Sequence, residues 1–318
     1  MKNFINIADI DKGDLRKIID HAKQQKEKRS KLKKSAIDPD KPLADKILIM
    51  IFEKPSTRTR LSFELAMKQL GGQILVLNAK ESHYGSENES VHDTAKVLSL
   101  YGDIVMMRTH KHKHFLKFSK HLDIPIINGL TDLSHPCQIM SDIMTFEEVR
   151  GSITNKKIAW LGDGNNVVYS LIEAAVKFNF ELAIACPKKL EPEKKIIKWA
   201  NKNNAKILIT KNPIEAAESA DCVMTDKWIS MGDKGNKNKK KKLLKPYQVN
   251  KKIMKSAKSD AIFMHCLPAN RGEEVTDEVI DSTNSIVFDQ AENRMWAQMA
   301  ILTYLCNPAA FQAYNELY

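Results

Sequence analysis

Ten short apolar runs, separated by stretches with helical patterning, constrain the fold of this chain more than any other feature. Continuous runs of this kind are typical of parallel strands that helices cover on both faces. One intervening stretch carries a single apolar stripe at helical spacing and ends at Gly71, a residue suited to a helix terminus. The pattern therefore predicts an α/β fold, with parallel sheets flanked by helices. The stripe consists of Phe63, Ala66, Met67 and Leu70, and the predicted strands are residues 46–52, 73–78, 103–108, 124–128, 156–163, 181–187, 206–210, 221–226, 261–266 and 285–290.

The chain has 318 residues, which is long enough for two domains with separate cores. A helix that ends at Gly151 offers a break, with four predicted strands before it and six after it. We predict a first domain over residues 1–134, a linking helix over 135–150 and a second domain over 151–299. The C-terminal helix, at about 300–318, is expected to pack back on the first domain.

Composition is typical of a globular protein and makes several other classes less favoured. The apolar fraction is 43%, and no run approaches the roughly 20 apolar residues of a membrane-spanning helix. Charged residues interrupt the apolar clusters near the N-terminus, so a secretory leader is not indicated. The five cysteines form no C-x-x-C pair, which disfavours structural zinc and suits a reducing compartment. We therefore expect a cytoplasmic protein.

The formal net charge of +11 admits two interpretations. A strongly basic protein can bind nucleic acid. Alternatively, the lysines form a solvated surface that also draws in acidic small molecules. Aromatic residues make up only 7% of the chain and are not interleaved with the basic runs, so stacking platforms for bases are not evident. The second interpretation is favoured, and a nucleic-acid-binding module stays the alternative from another class.

Polar and charged side chains follow the predicted strands at the point where each strand ends. In open parallel sheets, ligands bind beyond the carboxyl ends of the strands. So many polar clusters at one edge are hard to explain by stability, and we expect a ligand site built from them. The clusters are residues 56–59, Arg108, residues 128–138, residues 162–166, Asp226 and residues 265–272.

The cluster after the first strand has the chemistry of an anion site. A helix N-terminus presents unpaired N–H groups and the positive end of the helix dipole. Ser56, Thr57 and Thr59 add hydroxyl donors at this point. Arg58 adds a planar guanidinium that suits phosphate or carboxylate. The alternative is that a hydroxyl merely caps the helix and that the arginines, including Arg60, are surface charge.

Three further motifs have competing interpretations. The "GDGNN" segment follows a strand, but Val167 stands where a dinucleotide fingerprint needs its third glycine, so an NAD-dependent enzyme is a poor second. His135 is a candidate for catalysis or a satisfied structural residue. Cys266 is a candidate nucleophile with His265 beside it. Because neighbours in an extended segment point to opposite faces, His265 cannot easily activate that thiol.

Seven motifs, taken in order, closely resemble the ornithine carbamoyltransferases. "STRTR" and "HPCQ" are typical of the wider aspartate/ornithine carbamoyltransferase family, whereas "SMG" together with "HCLP" indicates ornithine. The match runs from the "NFINIADID" start to the final helix and covers essentially the whole chain. The motifs are "FEKPSTRTRLSFE", "DTAKVLS", "NGLTDLSHPCQ", "GDGNNV", "DKWISMG", "FMHCLPANRGEEV" and "FDQAENRMWAQMAIL".

The resemblance implies carbamoyl transfer from carbamoyl phosphate to the side-chain amine of L-ornithine, which gives L-citrulline and phosphate, a reaction of arginine metabolism that can serve biosynthesis or breakdown. It makes residues 1–134 the carbamoyl phosphate-binding domain and residues 151–299 the ornithine-binding domain, with the active site in the cleft between them. It implies a homotrimer with sites at subunit boundaries, no metal or organic cofactor, and no nucleic-acid or membrane partner. A carbamoyltransferase for a related amine, such as N-acetylornithine or putrescine, stays an alternative.

The resemblance also assigns roles to individual residues. Those implied to be catalytic are Arg58, Arg108, His135 and Cys266. Those implied to bind carbamoyl phosphate are Ser56, Thr57, Arg58, Thr59, His83, Arg108, His135, Pro136, Cys137, Gln138, Cys266, Leu267 and Arg294. Those implied to bind ornithine are Asn166, Asp226, Ser230 and Met231. We hypothesise that the departing phosphate accepts the proton of the ornithine amine, while Asp226 and Cys266 orient the amino acid.

Two segments depart from the family pattern. The loop at residues 81–90 has His83 where the family usually has a glutamine that reaches a neighbouring subunit's site, and we carry that role over to His83. The lysine-rich run at residues 234–242 follows "WISMG", and we expect it to be solvated and flexible. A sharper hypothesis is that this run attracts the dianionic carbamoyl phosphate.

Overall fold

The computed structural model describes residues 2–78, 89–229 and 235–316, with side chains described as far as residue 313. The chain divides into two compact units. Unit 1 consists of Met1–Met144 and Asn293–Tyr318, and unit 2 consists of Thr145–Glu292.

Unit 1 contains a four-stranded sheet in which neighbouring strands are all parallel. The spatial order is β2-β1-β3-β4. From β1 the chain continues to the edge strand β2, and from β3 it continues to the opposite edge strand, β4. The carboxyl ends of β1 and β3 therefore form the topological switch point, where such sheets bind ligands. The strands are β1 (Ile47–Phe52), β2 (Gln73–Asn78), β3 (Ile104–Arg108) and β4 (Ile126–Leu130).

Helices pack around this sheet and supply its core. The predicted apolar stripe of α2 is confirmed, since all four of its side chains are fully buried and Gly71 ends the helix with a φ of +87°. A second buried apolar cluster contains Ile49 of β1, Val105 of β3 and Phe115 of α4. The helices are α1 (Lys12–Lys28), α2 (Thr57–Gln69), α3 (Val91–Tyr101), α4 (His112–Ser119) and α5 (Pro136–Arg150).

The C-terminal part of the chain also belongs to unit 1. Helix α12 (Val287–Cys306) crosses the division between the units, and α13 (Pro308–Glu316) follows it. Tyr304 donates a hydrogen bond from its hydroxyl to Asp14 Oδ2 at 2.6 Å, and the rings of His21 and Phe311 have centroids 5.1 Å apart. These contacts attach the last two helices to α1.

Unit 2 contains a five-stranded parallel sheet in the order β7-β6-β5-β8-β9. Its switch point lies between the carboxyl ends of β5 and β8. The strands are β5 (Lys157–Leu161), β6 (Glu181–Ala185), β7 (Ile207–Thr210), β8 (Cys222–Thr225) and β9 (Ile262–His265). The helices are α6 (Asn166–Phe178), α7 (Lys194–Lys202), α8 (Pro213–Ala217), α9 (Lys237–Leu244), α10 (Lys251–Ser256) and α11 (Asp277–Ile280).

The predicted fold class, two parallel sheets flanked by helices, is confirmed. Two local expectations were wrong. The run at residues 285–290 is not a strand: Ser285 makes a single bridge to Phe263, and α12 begins at Val287. A short apolar run does not distinguish a strand from a buried helix start, and Asp289 in the first turn favours the helix through its dipole.

The lysine-rich run is the second correction. Its described part is not a flexible segment, because residues 237–244 form helix α9. Asn236 caps the helix by accepting a hydrogen bond from the backbone N–H of Lys239 at 3.0 Å, and Leu244 is fully buried at the other end. The cap and the buried leucine both stabilise this helix, whose lysine and leucine residues also have good helix propensity.

Among the described residues, no helix combines the length and the apolar character that crossing a membrane requires.

Candidate active site

The first turn of α2 lies at the switch point of the unit 1 sheet. Ser56 occupies the N-cap position with extended backbone, but its side chain makes no capping hydrogen bond, so the capping alternative is wrong for this residue. Thr57 is exposed at the first helical position, where backbone N–H groups lack intrahelical acceptors. Within the described residues, Arg58 Nε is buried without a hydrogen-bond partner. This turn therefore keeps donors available for an anion.

Arg60 differs from Arg58, although both belong to the "STRTR" motif. Its Nε lies 2.7 Å from Glu64 Oε1, one helical turn away, and its side chain is exposed. The surface-charge interpretation therefore holds for Arg60. A local i,i+4 pair of this kind contributes only a few tenths of a kcal/mol to helix stability.

Thr59 is the centre of a buried cluster of hydroxyl and guanidinium groups. Its Oγ1 accepts hydrogen bonds from Arg108 Nη1 at 3.0 Å and from Arg294 Nη2 at 2.9 Å. Thr59 is fully buried, and the two arginines are 9% and 4% exposed. The structure thus brings together three predicted residues from α2, from the end of β3 and from α12. We call Ser56, Thr57, Arg58, Thr59, Arg108, His135, Gln138 and Arg294 the unit 1 cluster.

The sheet register explains how Arg108 reaches this position. Arg108 pairs with Phe52 at the end of β1, the residue that leads into the α2 turn. On its other side the register to β4 shifts between Met107 and Arg108. Bulges of this kind redirect side chains and are common beside functional sites.

His135 precedes α5 and is almost fully buried in unit 1. Burial lowers the pKa of its imidazole well below the usual value, and the positive charges of Arg294 and Arg108 lower it further. The ring is therefore neutral at pH 7. A neutral imidazole beside two guanidiniums can donate one N–H to a ligand oxygen without adding a third positive charge.

The start of α5 places the remaining predicted residues of unit 1. Pro136 opens the helix, a position at which its missing N–H costs no hydrogen bond. Burial raises the pKa of the Cys137 thiol to about 12, so this cysteine stays protonated, and its Sγ lies 3.5 Å from Asn128 O. Gln138 is fully buried and donates from Nε2 to Asp142 Oδ1 at 2.8 Å. Within the described residues, the Gln138 Oε1 acceptor has no hydrogen-bond partner.

In unit 2, Asp226 lies directly beyond β8 and is held from two sides. Asn165 Nδ2 donates to Asp226 Oδ2 at 2.8 Å, and Cys266 Sγ donates to Asp226 Oδ1 at 3.3 Å. Asn165 also caps α6, because its Oδ1 accepts from the backbone N–H of Val167 at 3.0 Å. Asn166 is the first residue of that helix. We call Asn165, Asn166, Asp226 and Cys266 the unit 2 cluster.

The segment after β9 is fixed by a buried histidine–carboxylate pair. His265 Nε2 lies 3.2 Å from Glu274 Oε1, and both side chains are fully buried. His265 Nδ1 accepts from the backbone N–H of Leu267 at 2.8 Å, and Leu267 has a φ of +55°, in the left-handed region that disfavours residues with a side chain. Cys266 donates to Asp226. A ring nitrogen of His265 lies within 4.8 Å of the Cys266 Sγ, so the expectation that the two side chains point to opposite faces was wrong, because the chain turns directly after β9 and does not continue as an extended strand. Both ring nitrogens of His265 are engaged, by Glu274 and by the Leu267 N–H, so His265 orients the turn and has no nitrogen left to accept the proton of the thiol.

One group of potential metal ligands occurs among the described residues. The ligand atoms of Asp226, His265 and Cys266 lie within 4.8 Å of one another. Both ring nitrogens of His265 are already used, by Glu274 and by the Leu267 N–H. A cation would have to replace those contacts, so the donor set fits the turn-stabilising role better than a metal site.

Two family models match the chain. The carbamoyl-P binding domain of aspartate/ornithine carbamoyltransferase matches residues 2–148, and the Asp/Orn binding domain matches residues 154–305. The chain belongs to the aspartate/ornithine carbamoyltransferase family. The first match contains most of unit 1, and the second contains most of unit 2.

Curated relatives and solved structures of this family are similar over nearly the whole chain. Ornithine carbamoyltransferase of Mesorhizobium japonicum is 50% identical over 304 residues, 96% of this chain and 98% of the relative. That of Rhodopseudomonas palustris is 50% identical over 309 residues, 97% and 98% of the two chains. Among solved structures, ornithine carbamoyltransferase from Pyrococcus furiosus is 43% identical with a TM-score of 0.90, covering 96% of this chain and 97% of that one. The anabolic enzyme from Campylobacter jejuni is 37% identical with a TM-score of 0.87, covering 97% and 100%.

Some residues of the family motifs lie outside the described part of the chain, namely His83, Ser230 and Met231. Other residues that contribute to the clusters were not predicted. Asn165 was overlooked in favour of Asn166, although asparagine before a helix is a strong N-cap signal. Glu274 could not have been found, because its pairing with His265 depends on a turn that the sequence does not specify.

Proposed function

We propose that this chain is an ornithine carbamoyltransferase, which transfers the carbamoyl group of carbamoyl phosphate to the side-chain amine of L-ornithine. Unit 1 binds carbamoyl phosphate and unit 2 binds ornithine. The names of relatives at about 50% identity support this assignment. The single structural observation that carries it is the buried contact of the Thr59 hydroxyl with the guanidiniums of Arg108 and Arg294.

The phosphate group of the substrate binds at the first turn of α2. The backbone N–H groups, the hydroxyls of Ser56 and Thr57, and the Arg58 guanidinium are the donors there. A dianion at a helix N-terminus is stabilised by the dipole as well as by direct hydrogen bonds. The unpaired Arg58 Nε supports this role, because a buried guanidinium N–H without an acceptor is costly unless a ligand supplies one.

The carbamoyl carbonyl oxygen is polarised by Thr59, Arg108 and His135. The Thr59 oxygen accepts from both arginines, so its single proton is directed to a further acceptor, which we assign as this carbonyl. Negative charge develops on that oxygen when the amine attacks. Donors fixed in a buried site stabilise such charge strongly, because they need not reorganise as it forms.

Gln138 binds the amino group of the carbamoyl moiety. Its Nε2 is committed to Asp142, which leaves Oε1 as a buried acceptor aimed away from that partner. A carbamoyl NH2 supplies the donor that this oxygen lacks. This pairing fixes which side of the planar carbamoyl group faces the amine.

Ornithine is oriented by the unit 2 cluster. The Asp226 carboxylate pairs with the α-ammonium group, which a free amino acid carries and an N-acetylated one does not. Cys266 and Asn165 hold the carboxylate in place. Asn166, Ser230 and Met231 complete the ornithine site. The attacking amine must be neutral, and the departing phosphate accepts its proton.

The chain functions as a cytoplasmic homotrimer in arginine biosynthesis, with His83 reaching the site of a neighbouring subunit. Exposed apolar side chains on unit 1 support self-association. Leu100 and Tyr101 on α3 are 81% and 64% exposed, and Leu61 and Leu75 are exposed as well. Static light scattering in solution measures the mass of the assembly, and a mass three times that of the chain is expected for the trimer.

A side-by-side assay tests the function. Carbamoylated product is measured with carbamoyl phosphate and ornithine, N-acetylornithine, putrescine or aspartate as acceptor, and ornithine is expected to give the highest kcat/KM. A higher value with another amine would replace ornithine as the substrate. No product with any acceptor, together with salt-sensitive retention on an oligonucleotide column, would favour the nucleic-acid alternative.

A further inference from the structure

Helix α9 is paired with the two loops that carry the unit 2 cluster. Lys240 Nζ lies 2.6 Å from Asp163 Oδ2 in the loop after β5, the loop that also contains Asn165. Lys241 forms an ion pair with Glu273 in the loop after β9. One short helix thus contacts both segments through adjacent lysines.

The pair between Lys240 and Asp163 is largely shielded from water. The side chains are 18% and 13% exposed, whereas those of Lys241 and Glu273 are 40% and 29% exposed. Shielding strengthens the attraction of opposite charges and reduces its screening by salt. The contact of Lys240 is therefore the stronger of the two.

Each contact lies close to a residue of the proposed ornithine site. Asp163 is two residues before Asn165, whose amide holds Asp226. Glu273 precedes Glu274, the partner of His265, which in turn holds the turn that follows Cys266. A displacement of either loop would move a group that orients Asp226.

We propose that Lys240 and Lys241 are positioning residues of the ornithine site, which hold the loops after β5 and β9 in the arrangement that binds the amino acid. The proposal rests on the proposed function for its kinetic consequence. Neither lysine needs to contact ornithine, because each acts through Asn165 or through the turn after Cys266. Lys240 has the larger effect because its ion pair is the more shielded.

The same helix offers matched controls. Lys239 and Lys242 are exposed neighbours of the paired lysines. Lys240→Met is expected to raise the KM for ornithine roughly fivefold, with kcat and the KM for carbamoyl phosphate unchanged. Lys239→Met removes the same charge from the same helix, and we expect it to leave the KM for ornithine unchanged. Lys240→Arg keeps the ion pair and should restore most of the affinity.

These outcomes separate positioning from general electrostatics. If Lys239→Met and Lys240→Met raise the KM for ornithine equally, net charge explains the effect and the proposal is wrong. It is also wrong if Lys240→Met leaves that KM unchanged. Should Lys240→Met unfold, Asp163→Asn gives the second route to the same contact, with the same expected rise.

Hydrogen exchange provides a readout that does not depend on activity. Lys240→Met is expected to speed amide exchange in residues 162–166, and Lys241→Met in residues 270–274, while Lys239→Met changes neither. If the native chain forms no citrulline, the proposed function fails, yet the exchange pattern still decides whether the lysines hold the loops. Unchanged exchange in both loops would overturn the positioning role even in an active enzyme.

Discussion

The two clusters differ in how far they are built before any ligand binds. In unit 1, Thr59, Arg108 and His135 are buried, and two guanidiniums already converge on one hydroxyl. In unit 2, Asp226 and Cys266 are half-buried, and the carboxylate is held by one amide and one thiol. The first cluster concentrates positive charge in a shielded place, whereas the second presents a partly solvated carboxylate.

This difference corresponds to different demands of the proposed reaction. Charge that develops during bond formation is stabilised best by buried donors that are already in place. Such donors are costly to bury, and the contacts of Thr59 with both arginines offset part of that cost. Recognition of an amino acid does not require donors that are fixed and fully buried, and a half-exposed carboxylate is sufficient to bind an ammonium group. The family models agree, since one domain is named for carbamoyl phosphate alone and the other for either of two amino acids.

The largest expected effect comes from breaking the unit 1 cluster. Arg108→Gln removes a guanidinium that contacts Thr59, and we expect kcat to fall by about 10²–10³-fold, the usual effect of losing one donor to a developing oxyanion. Steady-state kinetics with saturating ornithine measures it. Arg60→Gln is the matched control, because Arg60 pairs only with its own helix in the described contacts and should retain nearly full activity. A similar loss in both variants would mean that the arginines act through net charge.

The next prediction compares how the stability of unit 1 and of unit 2 changes as the pH falls. Burial lowers the pKa of His21 to about 4, and the charge of Lys28 contributes to the shift. Between pH 6.5 and about 4, the unfolded chain therefore binds a proton that folded His21 does not, so stability falls as pH drops through this range. The loss from this residue approaches about 3 kcal/mol. Burial also lowers the pKa values of His112 and His135 in the same unit.

Unit 2 depends on a carboxylate that titrates later. Burial alone would raise the pKa of Asp221, but hydrogen bonds from Lys157 N–H, Lys258 and Arg150 lower it below 3.8. The stability that ionised Asp221 contributes is therefore fully present above pH 3.8 and is lost only as the pH falls below that value. Hydrogen exchange at pH 7, 6 and 5 should show α1 and α13 opening before β5 and β8. His21→Gln should flatten the pH dependence of α1. An unchanged slope in this variant would show that His21 is not the responsible group.

The sequence predicted the sheets and the polar residues at their edges, because both follow from local patterns. Runs of aliphatic residues indicate buried parallel strands, and nine of the ten predicted runs overlap a strand. The tenth failed because residues 285–290 have the same composition as the buried start of a helix. The edge strand β2 also differs from expectation, since each of its side chains is exposed or only partly buried. Burial on both faces depends on position in the sheet, which the run itself does not specify.

The contacts within the clusters could not be predicted in the same way. The residue types at the site were evident, but the convergence of Arg108 and Arg294 on Thr59 joins residues far apart in the chain. The order of helix α9 likewise depends on Asn236 and on charge pairs with two distant loops. Local propensity treats a lysine-rich run as solvent-exposed, and only tertiary contacts distinguish Lys240 from Lys239.

A smaller effect is expected from the unit 2 cluster. Cys266→Ala removes the thiol that donates to Asp226, and loss of a hydrogen bond to a charged group lowers kcat/KM for ornithine by roughly 5–30-fold. Cys266→Ser keeps a donor and should recover part of the loss. The KM for carbamoyl phosphate distinguishes the two roles that the resemblance implies for Cys266, since only a direct contact with that substrate would change it. A variant with unchanged rate and unchanged pH profile would remove the thiol from the mechanism.

The smallest expected effect concerns the long-range electrostatic field of the lysine-rich run. It compares the exposed lysines of this run with the buried arginines of unit 1. The charges of Lys240 and Lys241 are compensated by Asp163 and Glu273. The exposed side chains of Lys239 and Lys242 are therefore the ones of these four expected to attract a dianion from solution. Replacing both exposed lysines with Met should lower the association rate of carbamoyl phosphate roughly twofold at low salt and reduce its salt dependence. Stopped-flow binding at several ionic strengths measures both. An unchanged salt slope would mean that the run does not steer the substrate, and that the buried guanidiniums of unit 1 account for its attraction.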